Sequence, residues 1–216
     1  MVISIHIPKC AGTSFRDILT SIYGPRLWLN YGTIFSREDF KSDLVPKTGA
    51  CIHGHFFADA FEDFVPQPRL ITWVRHPVDR VVSNYYHSLR SPDMRDGCCR
   101  LLHEKKLSLC DYAELDWMRN LATRYLAHKP LSAFTFVGIA ERFDESLQIF
   151  GREFNWPIPS TGPCLNTNPE RRTSSYMLEP SEYEHILSLN QIDLAWYSSA
   201  VTQFEAKLGQ TVQQVA

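Results

Sequence analysis

VISIHIPKCAGTSF, residues 2–15, reads as a strand, a tight turn and the opening of a helix. Val2, Ile3, Ile5 and Ile7 form a short β-branched run suited to a buried strand. Pro8 ends the ladder because it has no N–H to give. Cys10, Ala11 and Gly12 are small, Thr13 and Ser14 carry hydroxyls, and Phe15, Ile18, Leu19 and Ile22 recur at helical spacing. Such a joint collects backbone N–H groups at the positive end of a helix dipole, which suits an anion. Gly12 lets the backbone come close to a ligand, and Lys9 adds a mobile positive charge. A Thr/Ser-capped helix behind an ordinary strand would account for the hydroxyls, but it needs neither the lysine nor the glycine.

The residue order differs from the usual P-loop, whose lysine follows the last glycine and directly precedes Ser or Thr. Here Lys9 stands at the strand end, three residues ahead of Gly12.

The chain as a whole narrows the classes. Its 216 residues, 44% hydrophobic, can bury a sizeable core as one domain, residues 1–216, with a frayed tail from about 209. A net charge of −2 gives no general attraction to nucleic acid or an anionic membrane, so an anion site must be local. No apolar run approaches the roughly 18 residues that span a bilayer. A strand starting at residue 2 leaves no room for a signal peptide, and a cytoplasmic protein is expected. Cys10, Cys51, Cys98, Cys99, Cys110 and Cys164 have no regular spacing and no Cys-x-x-Cys pair. Free thiols are therefore expected, with neither a disulfide frame nor a structural zinc.

Ala50–His53 is a short apolar piece that runs into His53-Gly54-His55. Residues two apart on an extended chain point to one side, and Gly54 leaves room for a ligand between them. Two imidazoles would then face one pocket at the carboxyl end of a strand, where α/β sheets place their chemistry. Either histidine alone could instead be a hydrogen-bonded structural group. A metal would need further ligands, and Asp59 or Asp63 could serve only if a spacing fixed them. Phe57, Phe61 and Phe64 follow at helical spacing and read as the buried face of a helix.

RLITWVRHPVDRVVSNYYHSL, residues 69–89, is the second anchor. Leu70–Val74 reads as a buried strand with Arg75 at its end. Pro77 suits the first turn of a helix whose apolar face is Val78, Val81, Val82 and Tyr85. An arginine ending a buried strand is costly unless an anion awaits it. P-loop kinases and ATPases place an aspartate at the corresponding strand end to hold Mg²⁺. With Lys9, Arg75 and two histidines, this chain can neutralise phosphate without a metal.

The remaining segments read more plainly. Residues 24–46 form a loop with one short helix near Arg37–Leu44, and Arg90–Cys110 forms a second loop. Tyr112–His128 is helical, with Asn120 and Arg124 as possible acceptor contacts or solvated side chains. Phe134–Ile139 is a strand leading into a helix through Phe154, and residues 162–172 form a turn-rich loop. A helix starting near Ser181 and another over about Ile192–Leu208 close the chain. The alternation predicts an α/β fold: a mostly parallel sheet of about four to five strands flanked by helices.

Three of these pieces resemble sulfotransferases that use 3′-phosphoadenosine 5′-phosphosulfate (PAPS). IPKCAGTSF is similar to their 5′-phosphosulfate loop, most of all in the carbohydrate and Golgi-type branch. Arg75, Pro77, Arg80 and Ser83 match the spacing of their 3′-phosphate motif, and Tyr86 also has a counterpart. His53-Gly54-His55 resembles the catalytic element of uronyl (heparan sulfate) 2-O-sulfotransferases. RNLATRYLAH and VGIAERFDESL are similar to further family segments. The resemblance implies a P-loop-like sulfotransferase fold and transfer of a sulfuryl group from PAPS to an acceptor hydroxyl, without metal. The acceptor favoured is a carbohydrate, with lipid, peptide or natural product open. It implies His55 as general base with His53 as its catalytic neighbour, and Lys9 neutralising the leaving oxygen. Lys9, Cys10, Ala11, Gly12, Thr13, Ser14 and Phe15 would bind the 5′ end, and Arg75 and Ser83 the 3′-phosphate. Thr167 and Arg171, or their neighbours Asn166, Asn168 and Arg172, would close over the nucleotide. The alternatives are an ATP-dependent small-molecule kinase and a nucleotide-binding protein without catalysis.

Overall fold

Five strands, all parallel, form one sheet in the order β2-β3-β1-β4-β5: β1 (Val2–Ile5), β2 (Leu27–Tyr31), β3 (Cys51–His55), β4 (Arg69–Val74) and β5 (Phe134–Ile139). The structure is a computed structural model that describes residues 1–32, 35–39, 49–91, 97–156 and 178–215, those after 209 by backbone alone. β1 is buried at every position and β4 at all but Arg69, as expected of strands covered on both faces. The helices are α1 (Gly12–Tyr23), α2 (Pro77–Arg90), α3 (Gly97–Lys105), α4 (Leu109–Ala113), α5 (Leu121–Tyr125), α6 (Phe143–Phe154), α7 (Pro180–Ser188) and α8 (Gln191–Val215).

The winding of the sheet fixes where a ligand can enter. From β1 the chain passes through α1 to β2 on one side, whereas from β4 it passes to β5 on the other. β1 and β4 are neighbours, so the connections that leave their carboxyl ends turn to opposite sides, the place where an α/β sheet opens a crevice. Beneath it an aromatic core joins helices to sheet: Phe15 lies 5.2 Å from Trp73 and 5.1 Å from Phe150, ring centre to ring centre. The valines of α2 (Val78, Val81 and Val82) make a second, smaller cluster with Leu109, Ala113 and Ile186.

Several segments depart from the sequence reading. β2 lies within the stretch expected to be loop; it is an edge strand in which only Asn30 is buried, so its residues show no alternation of buried and exposed sides. Of the helix expected near residues 37–44, Arg37–Asp39 forms one 3-10 turn, and residues 40–48 lie outside the described ones. Phe57, Phe61 and Phe64 sit on consecutive turns, not on a helix, with Phe64 N–H donating to Phe61 O and Ala60 N–H to Phe57 O. The second expected loop contains α3, which buries Cys99 and Leu102 at i, i+3 spacing.

The helix expected over residues 112–128 is broken into α4 and α5. Its break is at Asn120, whose φ is 46°. The Asn120 side-chain carbonyl accepts from the N–H groups of Ile192 (3.0 Å) and Asp193 (3.2 Å), capping α8. In return the Asp193 carboxylate accepts from the N–H groups of Ala122 and Thr123 and from the Thr123 hydroxyl, capping α5. The Asn120 side-chain carbonyl therefore serves the fold. α8 itself runs on past Gly209, where a stop and a frayed tail were expected. A glycine costs a helix only about 1 kcal/mol, and no proline follows to end it. Cys10, Cys51, Cys98, Cys99 and Cys110 are free thiols. Among the described residues no helix is long and apolar enough to cross a membrane.

Candidate active site

Three chain segments meet at the carboxyl end of the sheet: the turn after β1, the end of β3 and the end of β4. The turn after β1 is tightly curled. Cys10 N–H donates to Ile7 O at 3.2 Å, and Lys9 and Ala11 both take left-handed backbone angles, with φ of 66° and 60°. That conformation costs a non-glycine residue on the order of 1 kcal/mol, and such strain gathers where a backbone must serve a ligand. Ala11 precedes α1 with no side-chain cap, so the amides of Gly12, Thr13 and Ser14 begin a helix that offers them no carbonyl of its own. Phe15 differs from its neighbours. Its N–H already donates to Ala11 O and its side chain is fully buried in the core, so it supports the turn from below. Cys10 is also buried, and burial pushes its thiol up to about 12, so its contribution to an anion is through the backbone.

Two cations flank this turn. Lys9 is lowered to about 8, by burial first and then by Arg75 and Arg90. Arg75, half-buried at the end of β4, donates from Nη1 to the carbonyl of Lys9 at 3.4 Å. The strand end and the turn are thereby tied together across the crevice. Ser83 lies on the buried side of α2. Arg80, between them in sequence, turns inward: it is fully buried and donates from Nη2 to Met118 O at 2.9 Å. Its Nε and Nη1 make no hydrogen bond among the described residues, and burial lowers its pKa against the pull of Asp193 and Cys10. Its place is in the joint between α2 and the segment before α5.

The third segment holds the histidines. His55 Nδ1 lies 2.7 Å from the carbonyl oxygen of His6. A carbonyl only accepts, so Nδ1 carries the proton and Nε2 carries the lone pair. Burial lowers the pKa of His55, opposed by that same bond to His6. His53 shares the strand face but sits one step deeper, 1% exposed, with Nδ1 2.8 Å from the Ser4 hydroxyl. Its pKa falls to about 3, through burial first and the neighbouring His55 second. The two imidazoles were expected to face one pocket side by side. Instead His55 is half-buried at the end of β3 and His53 lies sealed within the sheet below it. Gly54 was expected to leave room for a ligand, but that room is taken by β2: a Cβ on Gly54 would stand 1.7 Å from the Asn30 carbonyl oxygen.

Two further residues join this cluster, of which His6 escaped the sequence reading. The His6 ring packs 4.3 Å from that of His55 and 5.2 Å from that of His53. Its Nδ1 lies 2.9 Å from the Tyr31 hydroxyl at the end of β2. Burial, then His55 and His53, holds the pKa of His6 well below its ordinary value. His6 had a visible signal, being the one polar side chain between Ile5 and Ile7 directly before the turn. Tyr31 reads from the sequence only as a loop aromatic, able to wall an acceptor site or simply to pack, because its strand was not recognised.

Other candidates are not drawn together. Asp63 is engaged by Arg37 at the surface, and no group of three His, Cys, Asp or Glu side chains among the described residues could hold a metal ion. Arg124 is half-buried, and its Nε has no hydrogen-bond partner among the described residues. Thr167, Arg171, Asn166, Asn168 and Arg172 lie outside the described residues.

Residues 1–157 match the sequence model described as "Sulfotransferase family". Among solved structures, the chain is similar to a sulfotransferase from Alicyclobacillus acidocaldarius at 16% identity, covering 93% of this chain and 95% of that one, with a TM-score of 0.51. It is also similar to mouse sulfotransferase SULT7A1 complexed with PAP, at 14% identity, 73% and 60% coverage and a TM-score of 0.41. No curated protein matches the chain.

Proposed function

Since the chain belongs to the sulfotransferase family, we propose that it moves the sulfuryl group of PAPS to an acceptor hydroxyl, that of a carbohydrate before other acceptors. The observation that carries this reading is His55. Its proton is tied to the His6 carbonyl and its lone pair is on Nε2, and His6 leads directly into the turn that Lys9 and Arg75 flank. His55 Nε2 takes the proton of the acceptor hydroxyl as that oxygen bonds to sulfur. The bond from sulfur to the bridging oxygen of the 5′-phosphate breaks in line. Lys9 meets the charge that grows on the departing oxygen, and the amides of Gly12, Thr13 and Ser14 hold the 5′-phosphate. His53 orients the cluster from below through Ser4. Arg75 and Ser83 take the 3′-phosphate, a task of positioning. Thr167 and Arg171 are proposed to close over the nucleotide. Tyr31 and Phe35, 40% and 41% exposed near the end of β2, offer aromatic faces to an acceptor.

The 3′-phosphate assignment has a direct test. Arg75→Ala weakens 3′,5′-bisphosphoadenosine by about 2–3 kcal/mol, the worth of a charge-assisted contact, and hardly changes adenosine 5′-phosphate. Isothermal titration of both nucleotides against both proteins reads the difference, and equal weakening of the two refutes the assignment.

A further inference from the structure

The His6 ring is clasped from two sides. On one side a Cβ added to Gly12 would stand 1.9 Å from His6 Cδ2 and 2.2 Å from Nε2, so that edge of the ring rests on the first residue of α1. On the other side Nδ1 meets the Tyr31 hydroxyl at 2.9 Å. An imidazole 8% exposed between two buried isoleucines costs desolvation that an apolar side chain would avoid, so packing alone does not account for it.

We infer that His6 is a hydrogen-bond donor of the site: the Tyr31 hydroxyl donates to His6 Nδ1, which keeps the proton on Nε2, and that N–H faces the anionic end of the donor held over Gly12. The inference rests on the sulfuryl-transfer reading and adds a residue to it. A phenol can donate or accept, and the assignment of the Tyr31 hydroxyl as the donor is part of the inference. Burial and the adjacent His55, His53, Arg16 and Lys9 keep the ring neutral, with one proton to place. Tyr31 is raised to about 12 and so remains a phenol able to donate. The nitrogen nearer the donor turn is then the one that carries hydrogen, and its partner is an oxygen of the sulfuryl group or of the 5′-phosphate. His6 thus serves both ligands of the site, its carbonyl fixing the base and its ring reaching the donor.

Long-range ¹⁵N–¹H correlation spectra of histidine-labelled protein read the protonated nitrogen of each ring directly. The expected result is Nε2–H for His6 and Nδ1–H for His55, with the His6 Nε2 resonance shifting on addition of 3′,5′-bisphosphoadenosine. Tyr31→Phe, at a position 40% exposed, should fold normally, mix the His6 tautomers and slow single-turnover transfer about tenfold. His6 found as Nδ1–H overturns the inference. So does a bisphosphate that shifts the amides of residues 10–14 but not the His6 ring. A nucleotide that shifts neither overturns the donor reading itself, and this inference with it.

Discussion

His55→Ala slows single-turnover sulfuryl transfer by about 10²–10⁴, the usual worth of a positioned general base, while affinity for the bisphosphate nucleotide stays within a few-fold of wild type. The separation follows from the layout. In the proposed reading the donor is held by the turn after β1 and by Arg75, whereas His55 is at the end of β3 and meets the segment ahead of that turn through the His6 carbonyl and ring. His53→Ala is a different lesion, because it removes a buried partner of Ser4 and opens a cavity under the site. The pH dependence carries a sign. His55 works when neutral, so kcat/KM rises with pH through its pKa, and burial puts that pKa below the ordinary value of about 6.5. The acid limb therefore lies below neutrality. A His55→Ala protein whose transfer rate equals that of wild type makes His55 structural.

Lys9→Met is expected to cost about 10²–10³ in transfer rate, comparable to losing one preorganised donor to a developing negative charge. Methionine keeps the length of the stem, and the left-handed backbone at position 9 is no harder for it than for lysine. Lys9 acts when charged. With its pKa at about 8 in the free protein, kcat/KM falls as pH rises through that value. The wild-type profile is thus a bell with its acid limb from His55 and its alkaline limb from Lys9. Stopped-flow or quench measurement across pH 5–10 should find the alkaline limb missing in Lys9→Met and the acid limb missing in His55→Ala. An alkaline limb that survives the loss of Lys9 assigns it to another group.

The sequence made the buried half of this molecule legible and the edges illegible, for physical reasons. β1, β4 and β5 are covered strands whose β-branched and aromatic runs can be read directly, and β3 was legible from the short apolar piece that precedes its histidines. β2 is an edge strand with one buried residue, so its pattern of Leu27, Trp28, Leu29, Asn30 and Tyr31 carries no period. The break at Asn120 is a tertiary event: its side chain is used by the amides of α8, some seventy residues away. The charged part of the site was readable because Lys9 and Arg75 occupy strand ends where a fold has no need of them. The depth of His53, the inward turn of Arg80 and the clasp on His6 depend on what lies across the sheet or beneath the helix. None of the three is encoded in local spacing.

The central claim is that the crevice between β1 and β4 holds the nucleotide of PAPS through charge supplied by the chain. Arg75 directly follows β4, where a magnesium-nucleotide site would need a carboxylate. Calorimetric titration of the wild-type protein with 3′,5′-bisphosphoadenosine and with ATP, each in EDTA and in excess Mg²⁺, tests the claim most directly. The prediction is that the bisphosphate binds at least tenfold more tightly than ATP, with the same affinity in EDTA as in Mg²⁺. ATP binding as tightly as the bisphosphate, or bisphosphate binding that appears only with Mg²⁺, contradicts it.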